Sequence, residues 1–200
     1  EWLAAEGFAL GANPALEAAL RRRCERAGRG DWAAEALRWM QALLATPLPS
    51  LGVALQDLRT HLTEMEFWMP SAHLQAGAVD VLCGRHLLAG QPRPALRQRA
   101  LHGMLMGFAD LVFEHEGRYW VLDYKSNSLG AAGAAYDHAA LQAAMAHHRY
   151  DVQAALYLLA LHRLLRTRLG AAYDPARQLG GALYPFLRGI DGPEKGEHAL

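Results

Sequence analysis

Apolar positions recur at three- and four-residue intervals over the first 45 residues, then at two-residue intervals or in solid runs after about residue 60. That pattern predicts two helices followed by a mixed α/β region. Asn13-Pro14 supplies a cap and a proline for the first helical turn, and Leu16, Leu20 and Cys24 follow on one face. Gly28-Arg-Gly30 breaks the run. Asp31 stands where it would cap a second helix carrying Trp32, Leu37, Met40 and Leu44, which Thr46-Pro-Leu-Pro49 ends. Residues 62 to 69 alternate as a strand, with Leu62, Glu64, Glu66 and Trp68 on one face, Thr63, Met65, Phe67 and Met69 on the other, and Pro70 as the stop. Ser71 is then expected to cap a short helix reaching about Cys83, and residues 90 to 100, with Pro92 and Pro94, to form a mobile loop.

The strongest pattern lies in residues 107 to 125, where two apolar runs flank Glu116-Gly117. A two-residue tip makes them an antiparallel hairpin in which opposed residue numbers sum to 233. Leu111 and Phe113 with Trp120 and Leu122 make one apolar face; Phe108 and Val112 with Tyr119 and Val121 make the other. A strand pair apolar on both sides belongs inside a sheet covered by helices. Helices are expected at about 134 to 147 and 150 to 168, and a last strand at 180 to 187. The order αα-β-α-ββ-αα-β makes residues 1–200 a single α/β domain with a mixed central sheet flanked by helices.

Two residues interrupt the apolar runs. In the 233 register Asp110 faces Asp123, and Lys125 shares their side of the sheet because side chains alternate along a strand. Directly opposed residues sit with Cβ atoms about 5 Å apart, so the two carboxylates must share a proton, sit in water or recruit a cation. A hard divalent ion with Lys125 beside it to hold or activate a water satisfies them. The alternative is separate satisfaction, of Asp123 by Lys125 or nearby amides and of Asp110 by an arginine. Gln153 and Tyr157 lie four apart on one helix face, where they could orient Lys125, touch a phosphate, or simply sit at the edge of the core. Glu64 and Glu66 share a strand face, where they could serve as ligands, a solvated strand face being the commoner reading. The histidines show no zinc-ligand spacing, with His147, His148 and His162 on exposed helix faces and His115 near the hairpin tip. There is no phosphate-binding loop, nucleophile elbow or dinucleotide fingerprint.

Composition bounds these readings without changing them. The chain balances 20 Lys and Arg against 20 Asp and Glu, so no global positive field draws it to nucleic acid. Local clusters remain, at Arg21-Arg22-Arg23 with Arg26 and Arg29, and at His162, Arg163, Arg166 and Arg168; each is equally a solvated helix face. Cys24 and Cys83 lack motif spacing, which makes a reducing, cytoplasmic setting the expectation. No stretch is long and apolar enough to span a bilayer, so no membrane partner is expected.

Gly107-Phe-Ala-Asp110, Asp123-Tyr-Lys125-Ser-Asn and Gln153-x-x-x-Tyr157, in that order, resemble the PD-(D/E)XK nuclease superfamily in its RecB-like branch. Glu64-Met-Glu-Phe-Trp-Met-Pro70, the run from Arg118 to Asn127, His148-Arg-Tyr-Asp151 and Phe186-Leu-Arg-Gly189 add to the likeness, which covers about residues 50 to 190. The resemblance implies a restriction-endonuclease-like fold and Mg²⁺-dependent hydrolysis of DNA phosphodiesters. It implies Asp110, Asp123 and the main-chain carbonyl of Tyr124 as metal ligands, Lys125 as the group that positions or activates water, and Gln153 and Tyr157 as lysine-orienting or DNA-contacting residues. It further implies service within an ATP-dependent helicase–nuclease for DNA repair and recombination, with RecC- and RecD-like subunits and a recombinase among the partners. The family also carries a metal-binding histidine upstream, in a Gly-x-x-x-His context. His61 is the nearest candidate by order, but its surroundings do not fit. The expectation is therefore a fragment beginning just after that helix, weak in Mg²⁺ binding or inactive alone, which leaves a docking or assembly module as the competing reading.

Overall fold

The computed structural model describes residues 2–200, which fall into two compact units, one ending at Arg59 and the other running from Thr60 to Leu200. The first is helical. A short α1 (Trp2–Ala5) precedes α2 (Pro14–Arg26) and α3 (Ala33–Ala45). Asn13 caps α2 as expected, its side chain accepting from the Ala15 amide at 3.0 Å with Pro14 in the first turn. Asp31 does not cap α3. It falls inside a 3₁₀ turn over Gly30–Trp32, and α3 starts from Trp32 with no side-chain cap.

The second unit is a five-stranded mixed sheet with helices. In chain order it comprises β1 (Thr60–Gln75), α4 (Ala76–His86), β2 (Ala100–His115), β3 (Arg118–Leu122), α5 (His138–His147), α6 (Tyr150–Leu169), α7 (Pro175–Gln178), β4 (Leu179–Pro185) and β5 (Glu197–Ala199). The strands lie in the order β1-β2-β3-β4-β5, all neighbours antiparallel except the parallel pair β3–β4. The β2–β3 hairpin has the register expected, Leu111 facing Leu122 and His115 facing Arg118. Its tip shows why: Glu116 and Gly117 have φ of 50° and 76°, both left-handed, as a two-residue turn matching the strand twist requires.

β1 runs well past its expected end. Pro70 pairs with Met104 and Ser71 with Gly103, so neither stops a strand nor caps a helix. β1 is the sheet's edge, where a residue without an N–H loses nothing if that side carries no neighbour. α4 begins later, behind Gln75. The alternation along β1 holds where it matters, Met65 and Met69 being buried while Glu66 and Trp68 are exposed. The hairpin is covered on both faces only near Leu111 to Phe113 and Val121 to Leu122. Phe108, expected to be covered, is 45% exposed along with Met104 and Met106 on the long arm of β2.

One core cluster packs Val112, Val121, Met65 and Met69 against Tyr157, Leu161 and Leu165 of α6; another joins Tyr184 and Phe186 to Tyr136, Leu141 and Met145 around α5. Gly107 serves the first. Across the ladder it faces Phe67, whose ring would lie 2.4 Å from a Cβ there, and the space lets that ring meet Tyr157 edge-on, centroids 5.8 Å apart.

The loop after α4 is pinned rather than loose. Arg93 donates to the carbonyls of Leu87 at 3.0 Å, Leu88 and Gln91, and to Asp151 Oδ2 at 2.7 Å. Leu96 N donates to Asp80, and Arg149 donates to Pro94 O.

Candidate active site

β3 gives out at Leu122, but the next residues stay fastened to β4. Asp123 N donates to Leu183 O at 3.0 Å, Lys125 N to Pro185 O at 2.9 Å, and Leu187 N to Lys125 O at 2.9 Å. Asp123 and Lys125 are thus fixed on a rigid backbone and are both buried. Asp110 sits on β2 one step beyond the last hairpin pair, and its Oδ2 accepts from Tyr124 N at 2.8 Å.

α6 closes the site from above. Lys125 Nζ donates to Asp123 Oδ1 and, at 2.9 Å, to Gln153 Oε1. Gln153 Nε2 donates to Asp123 Oδ2 at 3.0 Å, and the Tyr157 hydroxyl lies 2.7 Å from that same oxygen and 2.7 Å from Phe108 O. The spacing of Gln153 and Tyr157 delivers both side chains to one carboxylate. All five side chains singled out in the sequence therefore gather at the junction of β2, β3 and α6, and among the described residues no arginine hydrogen-bonds Asp110.

Three neighbours, Tyr150, Tyr184 and His148, are given no site role by the sequence. Lys125 Nζ lies 3.8 Å from the ring centroid of Tyr150 and 5.2 Å from that of Tyr184, which stack on each other. His148 stacks on the outer side of Tyr150 and lies 3.2 Å from Asn127 Nδ2. Glu64 is a fourth neighbour. The β1–β2 ladder places it opposite Asp110, yet that rung is skipped and Glu64 has a left-handed φ of 51°, turning a position that reads as solvated strand into a half-buried kink.

The electrostatics of the site bear on Asp110. Burial raises the Asp110 pKa, and the Asp123 charge raises it further, against the Tyr124 amide and Lys125, which lower it. Burial and then the hydrogen bond to Asp123 push the Tyr157 hydroxyl far above its ordinary value, so it stays a proton donor. Two carboxylates against one ammonium leave the cluster one negative charge in excess. Its available side-chain donors are hard oxygens, which fit a hard divalent cation such as Mg²⁺ and not a soft one. Among the described residues no group of three or more His, Cys, Asp or Glu is arranged to hold an ion, so side chains contribute two acids to such a site. His61 does not join them in any such group.

The profile of the PD-(D/E)XK nuclease superfamily matches residues 7–198. The chain is similar to the RecBCD enzyme subunit RecB of Escherichia coli (strain K12), 46% identical over 176 residues, 86% of this chain and 15% of that protein. It is likewise similar to the subunit of the same name from Haemophilus influenzae, 41% identical over 164 residues (79% and 13%), and from Mycobacterium tuberculosis (strain CDC 1551 / Oshkosh), 36% identical over 204 residues (88% and 19%). The chain thus spans less than a fifth of the length of these relatives.

Proposed function

The chain belongs to the PD-(D/E)XK nuclease superfamily, and from that premise we propose that it hydrolyses DNA phosphodiester bonds with a divalent metal, Mg²⁺ by the hardness of its donors. The observation that carries this is the buried cluster in which Asp110 and Asp123 meet Lys125 with one negative charge uncompensated. Asp110, Asp123 and the main-chain carbonyl of Tyr124 would hold the ion. When bound, the metal polarises the phosphate and lowers the pKa of a coordinated water.

The protein's own groups do the rest. Lys125, held by Asp123, Gln153 and the Tyr150 ring, keeps a positive charge where the attacking water and the scissile phosphate's developing charge would lie. Gln153 and Tyr157 donate to the second Asp123 oxygen and so fix the plane of that carboxylate. The names of the relatives extend the proposal: the chain would act within a RecBCD-type assembly, with RecC- and RecD-like subunits, in DNA repair and recombination.

The test is degradation of end-labelled single-stranded DNA, paired with calorimetric titration of Mg²⁺ and Mn²⁺. Cleavage by the wild type, lost in Asp123→Ala and in Lys125→Ala with the fold intact by circular dichroism, supports the assignment. Metal-dependent cleavage surviving in either variant removes that residue from the mechanism. Intact folding with neither metal uptake nor cleavage in the wild-type chain would favour a docking module instead.

A further inference from the structure

Three parts of the chain with no role in the chemistry above meet just past Lys125: the loop over residues 126–129, Tyr136, and residues 186–189 after β4. Together they make a ridge that carries one exposed cation, Arg188. We propose that Arg188 is a substrate-binding residue that holds the phosphodiester next to the scissile one. The inference rests on the nuclease assignment and deepens it by naming a second phosphate contact for the same site.

The ridge is rigid and tied to the lysine. Phe186 bridges Lys125 in parallel, and Leu187 N donates to Lys125 O at 2.9 Å. Arg188 Nε then donates to Ser126 O at 3.1 Å. Tyr136, 1% exposed, fastens both sides of the ridge. Its hydroxyl donates to Asn127 O at 3.3 Å and accepts from Leu129 N at 3.2 Å. Its ring lies against Gly189, where an added Cβ would stand 2.7 Å from it. One hydrogen bond and the backbone from Ser126 to Lys125 put the guanidinium within about 10 Å of the Lys125 Cα. The loop is also on the Lys125 side of the sheet: the Tyr150 ring lies over Nζ, and its hydroxyl donates to Asn127 Oδ1 at 3.2 Å.

Charge and geometry choose the ligand. Arg188 enters no ion pair among the described residues, and Asp191, three positions on, does not answer it. With Nε committed to Ser126 O, the planar group is oriented, and its far edge, Nη1 and Nη2, is left for a ligand. Two parallel N–H donors match two oxygens of a phosphodiester, and a fork already fixed in place loses little entropy on binding. Lys125 and Arg188 then form two cations spaced along one strand, the first at the bond that breaks and the second at its neighbour. A protein carboxylate would fit the same fork, so the test asks for a phosphate specifically.

The experiment maps cleavage of an end-labelled oligothymidylate of about 16 nucleotides in which one linkage is a neutral methylphosphonate, using the whole chain with Mg²⁺. The wild type should cut one of the bonds flanking the neutral linkage about tenfold less than distant bonds, the loss of one charge-assisted hydrogen-bonded contact. On an all-phosphate strand, Arg188→Ala should raise KM about tenfold with kcat little changed. Beside the neutral linkage it should show no further loss, because the partner of that phosphate is already gone. Arg188→Lys, which keeps the charge without the fork, should fall between the two. The proposal is overturned if the wild type cuts both flanking bonds at the ordinary rate, or if Arg188→Ala keeps the wild-type pattern around the neutral linkage.

A salt series in EDTA, where nothing is cut, separates this inference from the one beneath it. By fluorescence anisotropy on the same all-phosphate oligothymidylate, Arg188→Ala should make the slope of log K against log salt shallower by about 0.7, one phosphate contact. A wild-type chain that shows this difference but cuts nothing sinks the nuclease assignment and keeps the contact. An active chain whose slope and cleavage map ignore Arg188→Ala sinks the contact and leaves the nuclease assignment standing.

Discussion

Two buried ionic clusters meet α6 in the larger unit, and they differ in balance more than in burial. At the start of α6, Asp151 is 0% exposed and Asp80 lies nearby; Arg93 and Arg149 answer them, two cations for two acids. Burial alone would raise the Asp151 pKa, but hydrogen bonds and charge from Arg149 and Arg93 outweigh it and hold the carboxyl below its ordinary value. One turn along the helix, Asp110 and Asp123 have only Lys125, and Asp110 moves the other way. A buried acid with its charges balanced is a clasp; one left in deficit is a place for a cation. On the proposed assignment, the number of cations near a carboxylate, and not its depth, separates the metal-binding acids from the structural one.

Removing a carboxyl in each place should therefore do opposite things. The largest effect is on cleavage: Asp123→Ala should lower DNA hydrolysis by about a thousandfold or more, and Asp110→Asn should do likewise while leaving the melting temperature level or raised, because it relieves repulsion. Next, Asp151→Asn should cost about 3–5 kcal/mol, since two guanidiniums lose their partner. The melting temperature would then fall by about 10 °C. Scanning calorimetry on the two asparagine variants decides the matter. If Asp110→Asn unfolds the protein and Asp151→Asn is tolerated, the contrast is wrong.

A smaller effect sets the pH profile of stability without metal. The Asp151 contribution is present above its unfolded value near 3.8 and lost as pH falls through its lower folded value. Asp110 has the opposite sign: its folded pKa is raised above 3.8, so stability declines as pH rises from there through the folded value. Metal-free stability should peak in mild acid. Asp110→Asn should flatten the limb above the peak and Asp151→Asn the limb below it, in melts taken from about pH 3 to 8; added Mg²⁺ should flatten the upper limb wherever Asp110 is intact.

The acids of the candidate site could be read from sequence because they break apolar runs, and a two-residue turn fixes the register that opposes them. Gln153 and Tyr157 followed from helical spacing. What failed were inferences from single residues whose meaning depends on distant partners. Pro70 and Ser71 look like a stop and a cap, but an edge position lets β1 run through them. Residues 90 to 100 read as mobile because nothing local announces that Arg93 will reach Asp151, 58 positions away. Glu64 reads as a solvated strand residue because its left-handed backbone has no side-chain signature. β5 was missed because three residues, Glu197–Ala199, carry no period. Tyr150 and Tyr184 gave no sign of a place beside Lys125, because an aromatic ring packs against a leucine or an ammonium equally well.

That last ambiguity supplies the mildest test of the contrast. If the site is held in deficit by design of its surroundings, the single ammonium should draw part of its stabilisation from something other than a second anion, and the Tyr150 ring at 3.8 Å is placed to provide it. A desolvated cation–π contact contributes about 2 kcal/mol. Its loss in Tyr150→Leu should lower kcat by roughly thirtyfold at most with KM little changed, since the ring holds Lys125 and not the DNA. Tyr150→Phe keeps the ring but gives up the 3.2 Å hydrogen bond from its hydroxyl to Asn127 Oδ1. Near-wild-type kcat in the phenylalanine variant assigns the effect to the ring. Equal losses in the two variants would assign it to the hydroxyl, and Lys125 would then owe its position to Asp123 and Gln153 alone.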